Sequence, residues 1–212
     1  MADPSFITKQ KILDSAKKEF LEKGFVNASL RTIASNAGLT TGAMYRHFKD
    51  KDALFCALVD EAIEVSTKAV MAADVPSHIK ASSPLSEEHR QEEVKILYNL
   101  LDYIYDNFDA FTLLISKASG STHEHFVDEM CNLYTKNCLE TMNWMYENKI
   151  SQCPVDELTA HVICSCLISA FTEFISHKVP KEKAVSFITT MREFFHVGTC
   201  HIMGIHEENT KA

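Results

Sequence analysis

The sequence predicts an all-α fold of about nine helices, and three observations carry that prediction. Gly and Pro number six and five among 212 residues, so few positions interrupt a helix. Apolar residues recur at three- and four-residue spacing, and alternating runs of β-branched residues are nearly absent. With 46% hydrophobic residues the chain can bury a core and fits one or two domains.

The first helix is expected from Lys9 to Lys23, with Thr8 as N-cap and Gly24 taking the left-handed conformation that ends it. Ile12, Leu13, Ala16 and Phe20 share its apolar face, and Lys9, Lys11 and Lys17 lie on a face read as solvated. Ser29 caps a second short helix that turns Leu30, Ile33, Ala34 and Ala37 inward. Gly38 supplies a turn, Leu39 tucks in, and Thr40 caps a third helix from Thr41 to Phe48, which Met44 and Phe48 anchor one turn apart. Positions 41, 42, 43, 45, 46 and 47 are left nearer the outside, the pattern of a helix-turn-helix that enters the DNA major groove.

Asp50 caps a long helix over 51–73 that buries Leu54, Phe55, Leu58 and Ile63. Residues 74–86 read as a Pro- and Ser-rich loop. Further helices are expected at 87–107, 109–118, 122–149, 156–178 and 181–203, with a polar tail after Gly204. The domain division that follows is 1–52 for DNA binding and 53–212 for a helical ligand-binding and dimerisation domain.

The net charge of −8 would disfavour a nucleic-acid partner if it were evenly spread. Residues 1–55 instead carry nine Lys or Arg against six Asp or Glu, a net of +3, and the remainder carries −11. The acidic part would repel a polyanion and orient its encounter with the basic part. The N-terminus lacks a basic segment followed by an apolar run, and Leu158–Ile175 mixes its apolar residues with Glu173, His161, hydroxyls and thiols. The expectation is a cytoplasmic protein with no membrane partner. Most of the seven cysteines, at 56, 131, 138, 153, 164, 166 and 200, are then expected to be reduced thiols packed as small hydrophobes.

A helix ending in Phe20-x-x-x-Gly24-Phe25, the run Ser29-Leu-Arg-Thr-Ile-Ala34 and the run Ala37-Gly-Leu-Thr-Thr-Gly-Ala-Met-Tyr-Arg-His-Phe-Lys-Asp-Lys-Asp-Ala-Leu54 together resemble the N-terminal domain of the tetracycline-repressor (TetR/AcrR) family of bacterial transcription regulators. The resemblance covers roughly residues 6–60; beyond them only length and helical character are similar. It implies that Arg31, Thr41 and Ala43 approach base edges. It also implies that Ser29, Thr40, Gly42, Tyr45, His47 and Lys51 contact phosphates or set the backbone's approach, with Arg46 facing either bases or solvent. The residue types agree: Arg grips guanine through two parallel hydrogen bonds, and Gly42 removes a side chain where the duplex must come close.

One helix-turn-helix offers too little surface for selective binding, so a homodimer on a two-fold symmetric operator is expected. Leu158, Val162, Cys166, Ala170, Phe174, Phe187, Met191, Phe194 and Phe195 on the last two helices are its interface candidates, and in the family resembled those helices form the interface. Tyr98, Leu101, Tyr105, Phe108, Phe111, Tyr134, Cys138, Met142 and Phe171 are candidates to line a pocket for a largely apolar small-molecule effector, with Trp144 near them. The function expected is a ligand-responsive regulator, above all a repressor.

Two other readings stand beside it. His161, Cys164 and Cys166, and His196, Cys200 and His201, put thiols and imidazoles within a helical turn, as a metal- or thiol-responsive regulator requires, but without the paired spacing of a metal motif. No metal or cofactor is therefore expected, and His123 and His125 read as surface. A constitutive DNA-binding protein would need no pocket. An enzyme has the least support, since no His-Glu-x-x-His, paired-carboxylate helix or Gly-rich phosphate loop is present.

Overall fold

The computed structural model describes residues 4–72 and 87–205. The 74–86 stretch and the tail from 206 onward lie outside the described residues. Nine helices and no strand occur among the described residues: α1 (Pro4–Asn27), α2 (Leu30–Asn36), α3 (Thr41–Met44), α4 (Lys51–Ala72), α5 (Glu87–Asp106), α6 (Phe108–Ser116), α7 (Phe126–Glu147), α8 (Glu157–Ser176) and α9 (Lys181–Ile202).

Most boundaries fall within a few residues of those expected, because the stops are local. Gly24 leaves the helical region at φ 73° and ψ 167°, so α1 is broken there although its last turn resumes to Asn27. The start of α1 differs from the expectation. The helix begins at Pro4, a residue suited to the first helical position, and Thr8 therefore lies one turn inside it and is not its cap. The third helix is also shorter than expected: α3 ends at Met44, and the chain continues to Phe48 with His47 N bonded to Met44 O at 2.9 Å, a tighter three-residue step.

The described residues form two compact units. The first gathers the chain up to Glu64 with Asn107–Phe126, and the second gathers Val65–Asp106 with the chain from Val127 onward. Ile12, Ala16, Phe20, Ile33, Ala34, Met44, Leu54 and Phe55 are buried in the first unit. Its centre is an aromatic cluster, with Phe20 5.9 Å from Phe25 and Phe55 5.2 and 5.4 Å from those two rings. α6 belongs to this unit: Phe111, Leu113 and Leu114 are buried, Phe25 N donates to Lys117 O at 2.8 Å, and Lys17 pairs with Asp109 at 3.3 Å.

In the second unit, Leu101, Phe174, Ala184 and Ile188 form one core and Met142, Met145, Val155, Ala160 and Met203 another. Polar ties hold these helices in register. Tyr105 donates to Val179 O at 2.6 Å, the hydroxyls of Tyr98 and Thr189 meet at 2.7 Å, and Lys181 pairs with Asp102 at 3.0 Å.

α8 is the one described helix long and apolar enough to cross a membrane by length and composition, with mean hydropathy 1.7, yet only 22% of that stretch is buried within the chain. Leu158 is 71% exposed and Val162 52%. On α9, Phe194 is 66% exposed, and Phe187, Val197 and Ile202 are exposed as well.

Candidate nucleic-acid interface

Two caps build the helix-turn-helix. Ser29 Oγ accepts from Thr32 N at 3.3 Å, and its own backbone N–H is taken by Glu19 Oε1 at 3.1 Å, so a buried acid of α1 fixes where α2 begins. Ser15 Oγ, also buried, donates to Ile33 O at 2.9 Å and ties the middle of α2 to α1. Gly38 adopts φ 73°, and Thr40 Oγ1 then accepts from Ala43 N at 3.2 Å to start α3. Asp50 Oδ1 accepts from Ala53 N at 2.7 Å and starts α4.

Below α3, Met44 and Phe48 are buried, as their spacing predicts. Above it, Arg31, Thr40, Gly42, Tyr45 and Arg46 are exposed, while Ser29, Thr41, Ala43 and His47 are half-buried along the edges. None of the residues that the pattern assigns to a groove is buried, and the short helices that carry them have starts bonded to side chains. Ser29 and Thr40 are occupied as caps, which positions the backbone N–H groups beside them.

Lys51 has a task within the chain. Its Nζ donates to Val26 O at 2.9 Å and Ala28 O at 3.3 Å, and it lies 4.8 Å from the Phe25 ring centroid. It joins the end of α1 to the start of α4, leaving at most one N–H for a phosphate. Of the lysines read as solvated, Lys9 lies over the Phe48 ring at 5.6 Å and Lys17 pairs with Asp109.

The second unit holds a half-open cavity of about 300 Å³. Tyr134, Cys138, Met142 and Phe171, four of the residues expected to line a pocket, do line it. Leu101 and Tyr105 instead join the core around Phe174, Tyr98 is tied to Thr189, and Trp144 packs beside Met142 and Met145. Phe108 and Phe111 fall in the first unit, where Phe111 is core, so they do not line this cavity. Spacing alone could not separate two apolar clusters on helices that belong to different units.

Apart from Phe171, sequence reasoning missed the part of the lining that α8 supplies: Ile163, Cys164, Leu167 and Ile168 line the cavity at helical spacing, with Ala69, Val70, Ile96, Leu97 and Leu100. Glu93, His196 and Thr199 add polar groups. The Cys138 thiol and burial hold the Tyr134 phenol well above its usual range, and a hydrogen bond with Cys164 together with burial pushes Cys138 up. Both present neutral groups to the cavity at physiological pH.

Of the residues expected at a dimer interface, Leu158, Val162, Cys166, Phe187 and Phe194 are exposed, and Ala170 and Met191 are half-buried. Phe174 is buried in the chain's own core, which corrects its placement at an interface, and Phe195 is half-buried and lines the cavity. The α8 register explains Phe174, since that residue lies among Leu101, Ala184 and Ile188 on the inner side of the helix. In the clusters weighed as metal ligands, Cys200 lies 3.9 Å from His196, and His161 Nδ1 lies 3.4 Å from Thr135 Oγ1.

Residues 12–58 match the family described as bacterial regulatory proteins, tetR family. The chain is 31% identical over 109 residues to the HTH-type transcriptional regulator AcrR of Shigella flexneri, which covers 46% of this chain and 51% of that protein. It is 40% identical over 53 residues to the HTH-type transcriptional repressor AcnR of Corynebacterium diphtheriae, covering 25% and 28%. The matches thus span about half of one relative and less than a third of the other. Among solved structures, NalD of Pseudomonas aeruginosa, the secondary repressor of the MexAB-OprM multidrug efflux pump, aligns with a TM-score of 0.57 at 21% identity over 89% of this chain and 96% of that one. GusR of Salmonella enterica aligns at 0.56 with 20% identity over 96% and 98%. Those likenesses show a shared all-helical fold, and residues 12–58 carry the N-terminal domain described as that of the tetR family of bacterial regulatory proteins.

Proposed function

We propose that the protein is a cytoplasmic homodimeric repressor that binds a two-fold symmetric operator and is released by a small, largely apolar molecule. The observation that carries this reading is the exposure of Arg31 on α2 and of Tyr45 and Arg46 in the turn after α3, beside buried Met44 and Phe48. Residues 1–52 read the DNA; Arg31, Thr41 and Ala43 approach base edges, while Ser29, Thr40, Gly42, Tyr45, His47 and the remaining N–H of Lys51 meet phosphates or let the backbone approach them. Arg46 stands at the edge of that contact.

Residues 53–212 join two copies and hold the effector. Leu158, Val162, Phe187, Phe194, Val197 and Ile202 are exposed on α8 and α9, and a second copy covers them in an isologous pair. The cavity lies at the lower end of the range for small-molecule sites, about 300–1,000 Å³, which limits the effector to a compact apolar molecule with one or two polar groups facing Glu93, Tyr134 or His196.

α4 runs unbroken from Lys51, beside the recognition elements, to Val70 in the cavity lining. A shift of this helix on effector binding alters the spacing of the two α3 helices in the dimer. A coupling of about 1–3 kcal/mol changes DNA affinity by roughly 5- to 150-fold, and a near-complete switch requires about 5.5 kcal/mol. Selection from random duplexes tests the reading: an inverted repeat is expected, and failure to enrich any sequence overturns it.

A further inference from the structure

α4 carries Asp52, Cys56 and Asp60 at four-residue intervals, so a carboxylate, a thiol and a second carboxylate follow one another along one face. The segment after α6 returns to this face. Thr122 donates to Asp52 twice, through its backbone N–H at 2.9 Å and through its hydroxyl, and His123 N is held by Ser121 Oγ at 3.1 Å. These bonds deliver the His123 imidazole to the row: Nε2 lies 3.4 Å from Cys56 Sγ and 3.5 Å from Asp60 Oδ1. The sulfur, nitrogen and oxygen atoms of the three residues all lie within 4.8 Å of one another.

Those separations have a meaning in coordination chemistry. Zinc–sulfur bonds of about 2.3 Å and zinc–nitrogen or zinc–oxygen bonds of about 2.0–2.2 Å, set at tetrahedral angles, give ligand–ligand edges of roughly 3.3–3.6 Å. The S···N and N···O distances already match such edges. A thiol with an imidazole and one carboxylate suits zinc and its neighbours in the transition series, whereas calcium and magnesium call for oxygen ligands throughout. The His123 side chain is 19% exposed and that of Asp60 66%, so the trio is held from one side and open on the other.

We propose that Cys56, Asp60 and His123 form a site for one divalent transition-metal ion of the zinc class, with its fourth position left to water. On binding, the thiol proton passes to solvent as the metal–sulfur bond forms. Asp52 is a positioning residue that holds Thr122, and through it His123, over the helix. The ion joins α4 to the segment after α6, whose Lys117 O already accepts from Phe25 N. It therefore braces the frame on which α2 and α3 are mounted. Each ligand belongs to the first compact unit, and the site stands independently of the effector cavity.

Cobalt(II) titration of the reduced, chelator-treated full chain tests this without DNA. One equivalent per chain is expected to bind, with a thiolate-to-cobalt charge-transfer band and tetrahedral visible bands that one equivalent of zinc abolishes. Cys56→Ser removes the charge-transfer band, and His123→Gln weakens cobalt binding at least tenfold. Cys153→Ser, at an exposed cysteine outside the trio, leaves both unchanged. Should Cys56→Ser lose helicity, Asp60→Asn, at an exposed carboxylate, combined with His123→Gln repeats the test: loss of one-equivalent cobalt binding is expected, and binding at the wild-type level overturns the site. A wild-type chain without the charge-transfer band overturns the site, as does a band that survives Cys56→Ser or one that disappears in Cys200→Ser.

Discussion

On α2, α3 and the turn that follows α3 the exposed side chains are polar or charged apart from the Tyr45 ring, whereas on α8 and α9 Leu158, Val162, Phe187, Phe194, Val197 and Ile202 face outward. The first surface is held by hydrogen-bonded caps and exposes groups that cost little to leave in water. The second exposes large apolar groups that water disfavours at roughly 25 cal/mol per Å². The two surfaces therefore suit different partners: a hydrated polyanion for the first and another apolar surface for the second. An aromatic ring consequently means different things in the two places. Phe20 is buried inside a fold, and Phe194 is exposed on a helix surface.

That contrast yields the largest expected effect. Phe20→Ala removes a fully buried ring from the cluster with Phe25 and Phe55 and should lower unfolding stability by about 3–5 kcal/mol, read by urea denaturation of the far-UV signal. Val162→Asp with Phe194→Asp should leave the subunit folded but render it monomeric in sedimentation. Its operator affinity should fall about 100-fold or more, because one half-site is lost. If the double variant remains dimeric, the apolar stripe has some other partner, and binding to lipid vesicles would identify a membrane surface.

The two surfaces also differed in how far they could be read in advance. Ser29, Gly38, Thr40 and Asp50 act within three residues of themselves, so caps and turns at 29–53 follow from sequence alone, and Met44 and Phe48 follow from helical period. The second unit depends on which helix meets which, and period does not supply that. Phe111 and Tyr134 are both aromatic residues on apolar helix faces, yet one is core of the first unit and the other lines the cavity. His123 reads as surface until the fold brings it to Cys56, 67 residues away in sequence.

Arg31 and Lys51 sharpen the comparison within the first surface. Arg31→Ala should cost about 1–3 kcal/mol against the preferred sequence and relax selection at one base pair, leaving stability unchanged. Lys51→Met should behave differently, because its ammonium is bonded to Val26 O and Ala28 O. Loss of these bonds is expected to lower stability by about 1–2 kcal/mol, and any flattening of the salt dependence of DNA binding should not exceed about one unit per subunit. A variant of normal stability with a flattened salt slope would make Lys51 a phosphate contact first and a structural tie second.

The smallest effect separates charge from cap geometry on the other surface. Asp156 begins α8, accepting from Thr159 N at 3.0 Å and from the Thr159 hydroxyl at 2.6 Å; these two bonds, the hydroxyl's first, outweigh desolvation and hold its carboxyl below the ordinary 3.8. Because the folded value is depressed, the stabilisation is fully present above the unfolded value near 3.8 and disappears as pH falls through the lower folded value. Asp156→Asn keeps a side chain that caps helices well but carries no charge. The wild type should therefore be slightly the more stable of the two at neutral pH, and the gap should close on acidification below about pH 4. Thermal melts of the two proteins across that range measure it, and a gap that persists at pH 2 would mean that the Asp156 cap acts through shape and not through its charge.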